Sequence, residues 1–181
     1  MAVDLVVILL LAGGFLLGFF RGAIRQLTSI GAWLICFLLG AHLAPVVGRW
    51  LVGQAPTYSF QYGQLLSFGA IFIILLTAAL ILFQVVGTTM TLTRHELLDN
   101  VLGGLLGATL VLLIATSLVV ILDSYYTLPV LPATAELPVL REAWLASESS
   151  AIANGLRASL IPLLGAVLGP ILPSELRPAL A

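Results

Sequence analysis

From Trp50 through Thr93 the chain carries no charged side chain, and the stretches Leu5 to Phe20, Gln26 to Gly48 and Asn100 to Leu122 are equally free of ions. An ion at the centre of a bilayer costs about 2.5–3.5 kcal/mol on insertion scales, so four apolar blocks parted by a few charges predict four membrane-crossing helices. Only 8% of the residues are charged and 61% are hydrophobic, where a soluble domain carries about 25% charged residues. So few ions cannot cover a water-facing surface, and lipid takes up the apolar area that a soluble protein would bury.

The expected fold is therefore an all-α integral membrane protein, a bundle of four transmembrane helices over about residues 3–20, 27–47, 65–88 and 101–122. These spans make up a domain of residues 1–123, followed by a tail, 124–181, with a Pro-containing linker and short amphipathic helices. The 16 uncharged residues of the first span rise only about 24 Å as a helix, so Asp4 and Arg21 must reach interfacial water. Pro45 is expected to end the second span, with Trp50 at headgroup level. The connection Gly48 to Gln64 holds Pro56, Tyr58 and Tyr62 and is expected to lie against the membrane surface. The stretch 152–172 is apolar, but Arg157, Pro162 and Pro170 interrupt it, which favours a helix lying in the interface over a fifth span. An acid at position 4 in place of a positive flank argues for a retained first span rather than a cleaved signal.

All seven basic residues are arginines and the net charge is -1, so no face of the chain can neutralise a nucleic-acid backbone. Arg21, Arg25 and Arg94 fall in the first and third connections against Arg49 in the second, which places the odd connections in the cytoplasm. The N-terminus and the tail are then expected outside. Cys36, the single cysteine, excludes an intrachain disulfide and reads as a packed or lipid-facing residue.

Glycines recur every fourth residue at Gly14, Gly18 and Gly22, and again at Gly103 and Gly107 with Gly104 beside them. Small residues at this spacing let helix backbones approach closely in lipid, so the first and fourth spans are expected to pair. Arg21 and Arg25, one turn apart on a continuous helix, would share a face suited to lipid headgroups or a partner's carboxylate. With Arg94, Asp99 and Trp144 they form the expected set of interfacial contacts to lipid or protein.

No residue set supports a reaction. His95-Glu96-Leu97-Leu98-Asp99 begins like a zinc-protease helix but has Asp99 where the second histidine belongs. His42 lies near the end of the second span, where it reads as interfacial rather than as part of a proton relay, and Gln84 reads as an interhelical hydrogen-bonding residue. Ser147, Ser149 and Ser150 follow Trp144 with no histidine nearby in sequence. No catalytic residue, metal site or cofactor is expected.

Four features in order, the Val3-Asp4-Leu5 opening, the Gly18-x-x-Arg21-Gly22-x-x-Arg25 knot, the Leu98-Asp99-x-x-Leu102-Gly103-x-x-x-Gly107 entry to the last span and Trp144 ahead of Ser147, span nearly the whole chain. In these the chain resembles the colicin V production protein family of small bacterial inner-membrane proteins. The resemblance implies a role in toxin production or export and in envelope homeostasis. It departs from that pattern in the connection Thr91 to Asn100, which is poorer in basic residues. The expected function is a non-enzymatic accessory or scaffold, with the bilayer, proteins of the envelope or export machinery and a second copy of the chain as partners. The alternative is a small oligomeric transporter or channel in which Gly13-Gly14 opens the backbone of the first span.

Overall fold

The computed structural model describes residues 2–54, 60–86, 96–126, 138–168 and 170–171. Among these the chain is helical, with no strand: α1 Ala2–Arg21, α2 Ala23–Gln54, α3 Phe60–Val86, α4 Glu96–Tyr126, α5 Pro138–Glu148 and α6 Ala151–Leu168. Helix α1 packs along α4 and α2 along α3, and α2 also meets α4, which joins the two pairs into one bundle. Uniformly apolar helices of this kind leave their outer faces to lipid: Leu5, Leu9, Leu16 and Leu17 of α1 are all exposed.

Gly22 divides α1 from α2. Its φ of 79° is a left-handed conformation that side-chain-bearing residues rarely adopt, and its N–H donates to the Gly18 carbonyl at 2.9 Å, closing α1 as a left-handed C-cap. Arg21 and Arg25 thus bracket a turn and belong to different helices, which corrects the expectation of a shared face on one continuous helix.

Helix α2 runs for 32 residues, about 48 Å, well beyond the hydrocarbon thickness. Pro45 lies inside it rather than ending it. A membrane helix carries proline when its neighbours hold the turn in place, and here Ala41 and Ala44 are fully buried on the packed face. The surface connection expected from Gly48 is correspondingly shorter, because α2 continues to Gln54 and α3 begins at Phe60. Pro56 and Tyr58 lie outside the described residues, as do Arg94, His95 and the prolines at 129 and 132.

The core sits between α2, α3 and α4. Trp33 stacks on Phe37 with ring centroids 5.5 Å apart, and Phe37 meets Phe68 and Phe72 edge-on at 5.4 and 5.8 Å. Gly40 lies under Phe68 and Phe72, and Gly48 lies so close to α3 that a Cβ there would stand 2.7 Å from the Gln64 Cα. Within this apolar interior Trp33 Nε1 donates a side-chain hydrogen bond across helices to Ser117 Oγ at 3.2 Å. Ser117 is 0% exposed and passes its own proton to the Leu113 carbonyl at 2.8 Å.

Among the described residues five helices, rather than the expected four, are long and apolar enough to cross a membrane, and the fifth is α6. Its N-terminal turn is tied to Asp4 and its Arg157 to Asp123, while Leu164 and Leu168 reach the core. Helix α6 therefore packs back along α4, with Leu164 and Leu168 in the core cluster. The physical reason is that Arg157, the charge that argued against burial, is neutralised by a carboxylate from α4.

Replacing Trp33 by Phe removes the interhelical hydrogen bond while keeping the stack. Unfolding in mixed micelles is expected to show a loss of about 0.6 kcal/mol, the mean for such bonds between membrane helices.

Candidate functional site

The pairing of α1 with α4 is made by backbone. A Cβ on Gly14 would stand 2.5 Å from Val111 Cγ2 and 3.0 Å from the Gly107 carbonyl oxygen. One on Gly18 would run into the Gly103 carbonyl, and one on Gly103 would come within 2.7 Å of the Gly22 carbonyl carbon. Gly104 receives the Phe15 ring, which a Cβ would meet at 2.8 Å. Gly14, Gly18, Gly22, Gly103 and Gly107, the residues singled out by their spacing, thus come together in one groove. Gly13, by contrast, faces open space, and α1 is continuous through it.

Each end of this pair carries a polar site. At the turn end, Asp99 in the first turn of α4 accepts the Ala23 N–H at 3.1 Å through Oδ1, while its Oδ2 lies against Gly22. Ala23 is the first residue of α2, whose leading amides have no helical carbonyl to reach. Asp99 therefore caps α2 from another helix and fixes the angle at which α2 leaves α1.

At the opposite end, α5 and α6 return to the bundle. Ser150 is the N-cap of α6: its Oγ accepts the Ala153 N–H at 3.1 Å and donates to Asp4 Oδ1 at 2.7 Å. Asp4 also accepts the Ile152 N–H at 3.0 Å. Lying in the first turn of α1 as well, Asp4 meets the positive ends of two helix dipoles.

Beside it, Arg157 grips Asp123 with both arms of its fork, Nε to Oδ2 at 2.7 Å and Nη2 to Oδ1 at 2.7 Å. Trp144 Nε1 adds a third donor to Asp123 Oδ1 at 3.2 Å, and its ring stacks on Tyr126 with centroids 5.0 Å apart. Arg157 also donates to the Ser147 carbonyl at 3.2 Å, to Ser147 Oγ at 3.0 Å and to Asn154 Oδ1 at 2.9 Å. The result is a clasp in which α1, α4, α5 and α6 are joined by charge-assisted hydrogen bonds, the strong kind.

The expected interfacial residues divide accordingly. Arg21 and Arg25 flank the turn that Asp99 caps, Trp144 belongs to the clasp, and Arg94 lies outside the described residues. Sequence reasoning missed Asp4, Asp123, Ser150 and Arg157 as a group. A signal was present: an arginine in an apolar stretch needs a carboxylate, and Asp123 at the end of an uncharged span was a candidate, as were Asp4 and Asp99. His42 Nδ1 pairs with the Leu38 carbonyl of its own helix at 2.8 Å. Among the described residues no cluster of three His, Cys, Asp or Glu side chains could hold a metal.

The sequence profile of colicin V production proteins matches residues 3–154, from the start of α1 to the first turn of α6. The chain belongs to the colicin V production protein family. The colicin V production protein homolog of Haemophilus influenzae (strain ATCC 51907 / DSM 11121 / KW20 / Rd) is 24% identical over 123 residues, covering 68% of this chain and 74% of that protein. No solved structure matches. The matched range takes in the glycine groove, Asp99 and every clasp residue except Asn154's neighbour three positions on, Arg157, so the family region includes both ends of the α1–α4 pair.

Two outcomes are expected of variants in detergent. Gly18→Leu drives a side chain into the α4 backbone and lowers stability by about 1–3 kcal/mol, while Gly13→Leu stays within about 0.5 kcal/mol of wild type by the same unfolding measurement. Arg157→Ala leaves Asp123 without its main partner and weakens the docking of α5 and α6 by about 1.5–3 kcal/mol. Limited proteolysis, with faster cleavage near residue 148 than in wild type, checks the second.

Proposed function

We propose that this protein is an accessory of the bacterial inner membrane that supports export of a peptide toxin and the integrity of the envelope by packing and presentation, without catalysis. The observation that carries this reading is how its ionised groups are employed. Asp4 and Asp99 cap helices, and Asp123 and Arg157 hold one another. They fix helices in place, which suits a scaffold. The name of the Haemophilus influenzae relative, colicin V production protein homolog, and the family match support the link to colicin production.

In this reading the α1–α2 turn, with Arg21 and Arg25, faces the cytoplasm, and the clasp faces the periplasm together with the N-terminus. Helix α5 lies at the periplasmic end as the surface offered to partners, with Arg141, Glu142 and Leu145 exposed. Helix α6 then returns into the bundle. The channel alternative draws on Gly13-Gly14 to open the first span, and it is weakened by the continuity of α1 and by the engagement of Gly14 with Gly107.

The test is genetic. Deleting the gene in a toxin-secreting host is expected to lower secreted toxin, wild type to restore it, and Arg157→Ala to restore it only in part. His42→Ala combined with His95→Ala removes both imidazoles of the chain and is expected to restore export fully. Unchanged export and unchanged envelope stress in the deletion strain would overturn the proposal.

A further inference from the structure

The structure points to a binding site for the phosphate of an anionic phospholipid at the α1–α2 turn, a site that goes beyond the export reading and does not depend on it. Arg21 closes α1 and Arg25 stands in the first turn of α2, with only Gly22 and two residues between them. Among the described residues neither guanidinium has an acidic partner. Asp99, the acid packed against this turn, gives Oδ1 to the Ala23 N–H instead. The Nε of Arg25 is shielded from solvent and has no acceptor.

A cation with a desolvated N–H and no acceptor is costly to hold, and because Arg25 as a whole is only part-buried, an anion seated against its exposed side offsets that cost. The planar fork of arginine matches phosphate oxygens, and the dipole at the start of α2 favours negative charge at the same place. Of the leading amides of α2, Ala23 N–H is taken by Asp99 and Gln26 N–H reaches the Gly22 carbonyl at 3.4 Å, while those of Ile24 and Arg25 have no helical carbonyl within reach.

The surroundings identify the source of the phosphate. Phe20, Ile24 and Leu27, around the same turn, are 79%, 39% and 62% exposed. Apolar side chains flanking two unneutralised arginines at the end of two membrane-length helices suit acyl chains beside a headgroup. A free phosphate ion would gain nothing from them.

The test is a titration of the full-length protein in detergent with phosphatidylglycerol or phosphatidylcholine, bound lipid being counted by native mass spectrometry. Saturable retention of phosphatidylglycerol over phosphatidylcholine is expected. Arg25→Gln should weaken it about fivefold and Arg21→Gln with Arg25→Gln about twentyfold, from the usual contribution of a basic residue at an anionic surface. Arg49→Gln, near the far end of α2, should leave it unchanged. Arg25→Lys keeps the charge but loses the Nε–H, and is expected to weaken binding about threefold.

Wild-type affinity in the double variant would overturn the proposal. So would displacement of the lipid by millimolar inorganic phosphate, which would make the site one for a free anion. If the double variant does not fold, Arg25→Lys decides alone, and wild-type affinity in it is fatal to the proposal.

Discussion

The contact on which the rest of this protein depends is the approach of two bare backbones, Gly14 and Gly18 of α1 with Gly22 at its end, against Gly103 and Gly107 of α4. In lipid no hydrophobic force drives helices together, because the acyl chains are as apolar as the side chains they would displace. Association then rests on dispersion at close range and on what polar groups can be brought into register. The glycines supply the first, since carbonyls of each helix lie where a Cβ of the other would be. They also determine the second: with α1 and α4 held this closely, Asp99 reaches the turn at one end, and Asp4 and Asp123 stand at the other where α6 can engage both.

Much of this was legible in the sequence, and the part that was not has a common cause. Charge-free blocks marked α1 to α4 because the cost of a buried ion acts residue by residue, without reference to the fold. The four-residue glycine period marked the α1–α4 groove because it is local to each helix. What stayed hidden were pairings across the chain. Arg157 read as an obstacle to insertion because its carboxylate lies on another helix, at Asp123. Asp4 read as a helix end because the amide and hydroxyl that engage it belong to Ile152 and Ser150. Pro45 read as a terminator because a stop signal for a solvated helix is weaker inside a bundle. Gly22 was recognised for its size, whereas the structure uses its left-handed backbone as well.

The two polar ends solve different problems. At the clasp, acids and bases are present in the same place, so Asp123 at the unfavourable C-terminal end of α4 is compensated by Arg157 and Trp144. At the turn, the one acid in contact is used on backbone, and the arginines are left over. Among the described residues, Arg157 and Asp123 thus pair at one end, while Arg21 and Arg25 have no acidic partner at the other. A net charge of -1 conceals this asymmetry, which comes from where the ions stand rather than from their sum.

The two ends are also joined by a single element. Helix α1 carries Asp4 in its first turn and runs without a break to the Gly22 turn. A displacement of α1 along its groove would have to lift glycine backbones over one another, and it would draw Asp4 away from Ser150 and Gly22 away from Asp99 together. Packed interfaces of this kind have discrete seats rather than a continuous slide. The clasp contact of Asp4 and the Gly22 turn thus stand at the two ends of one continuous helix.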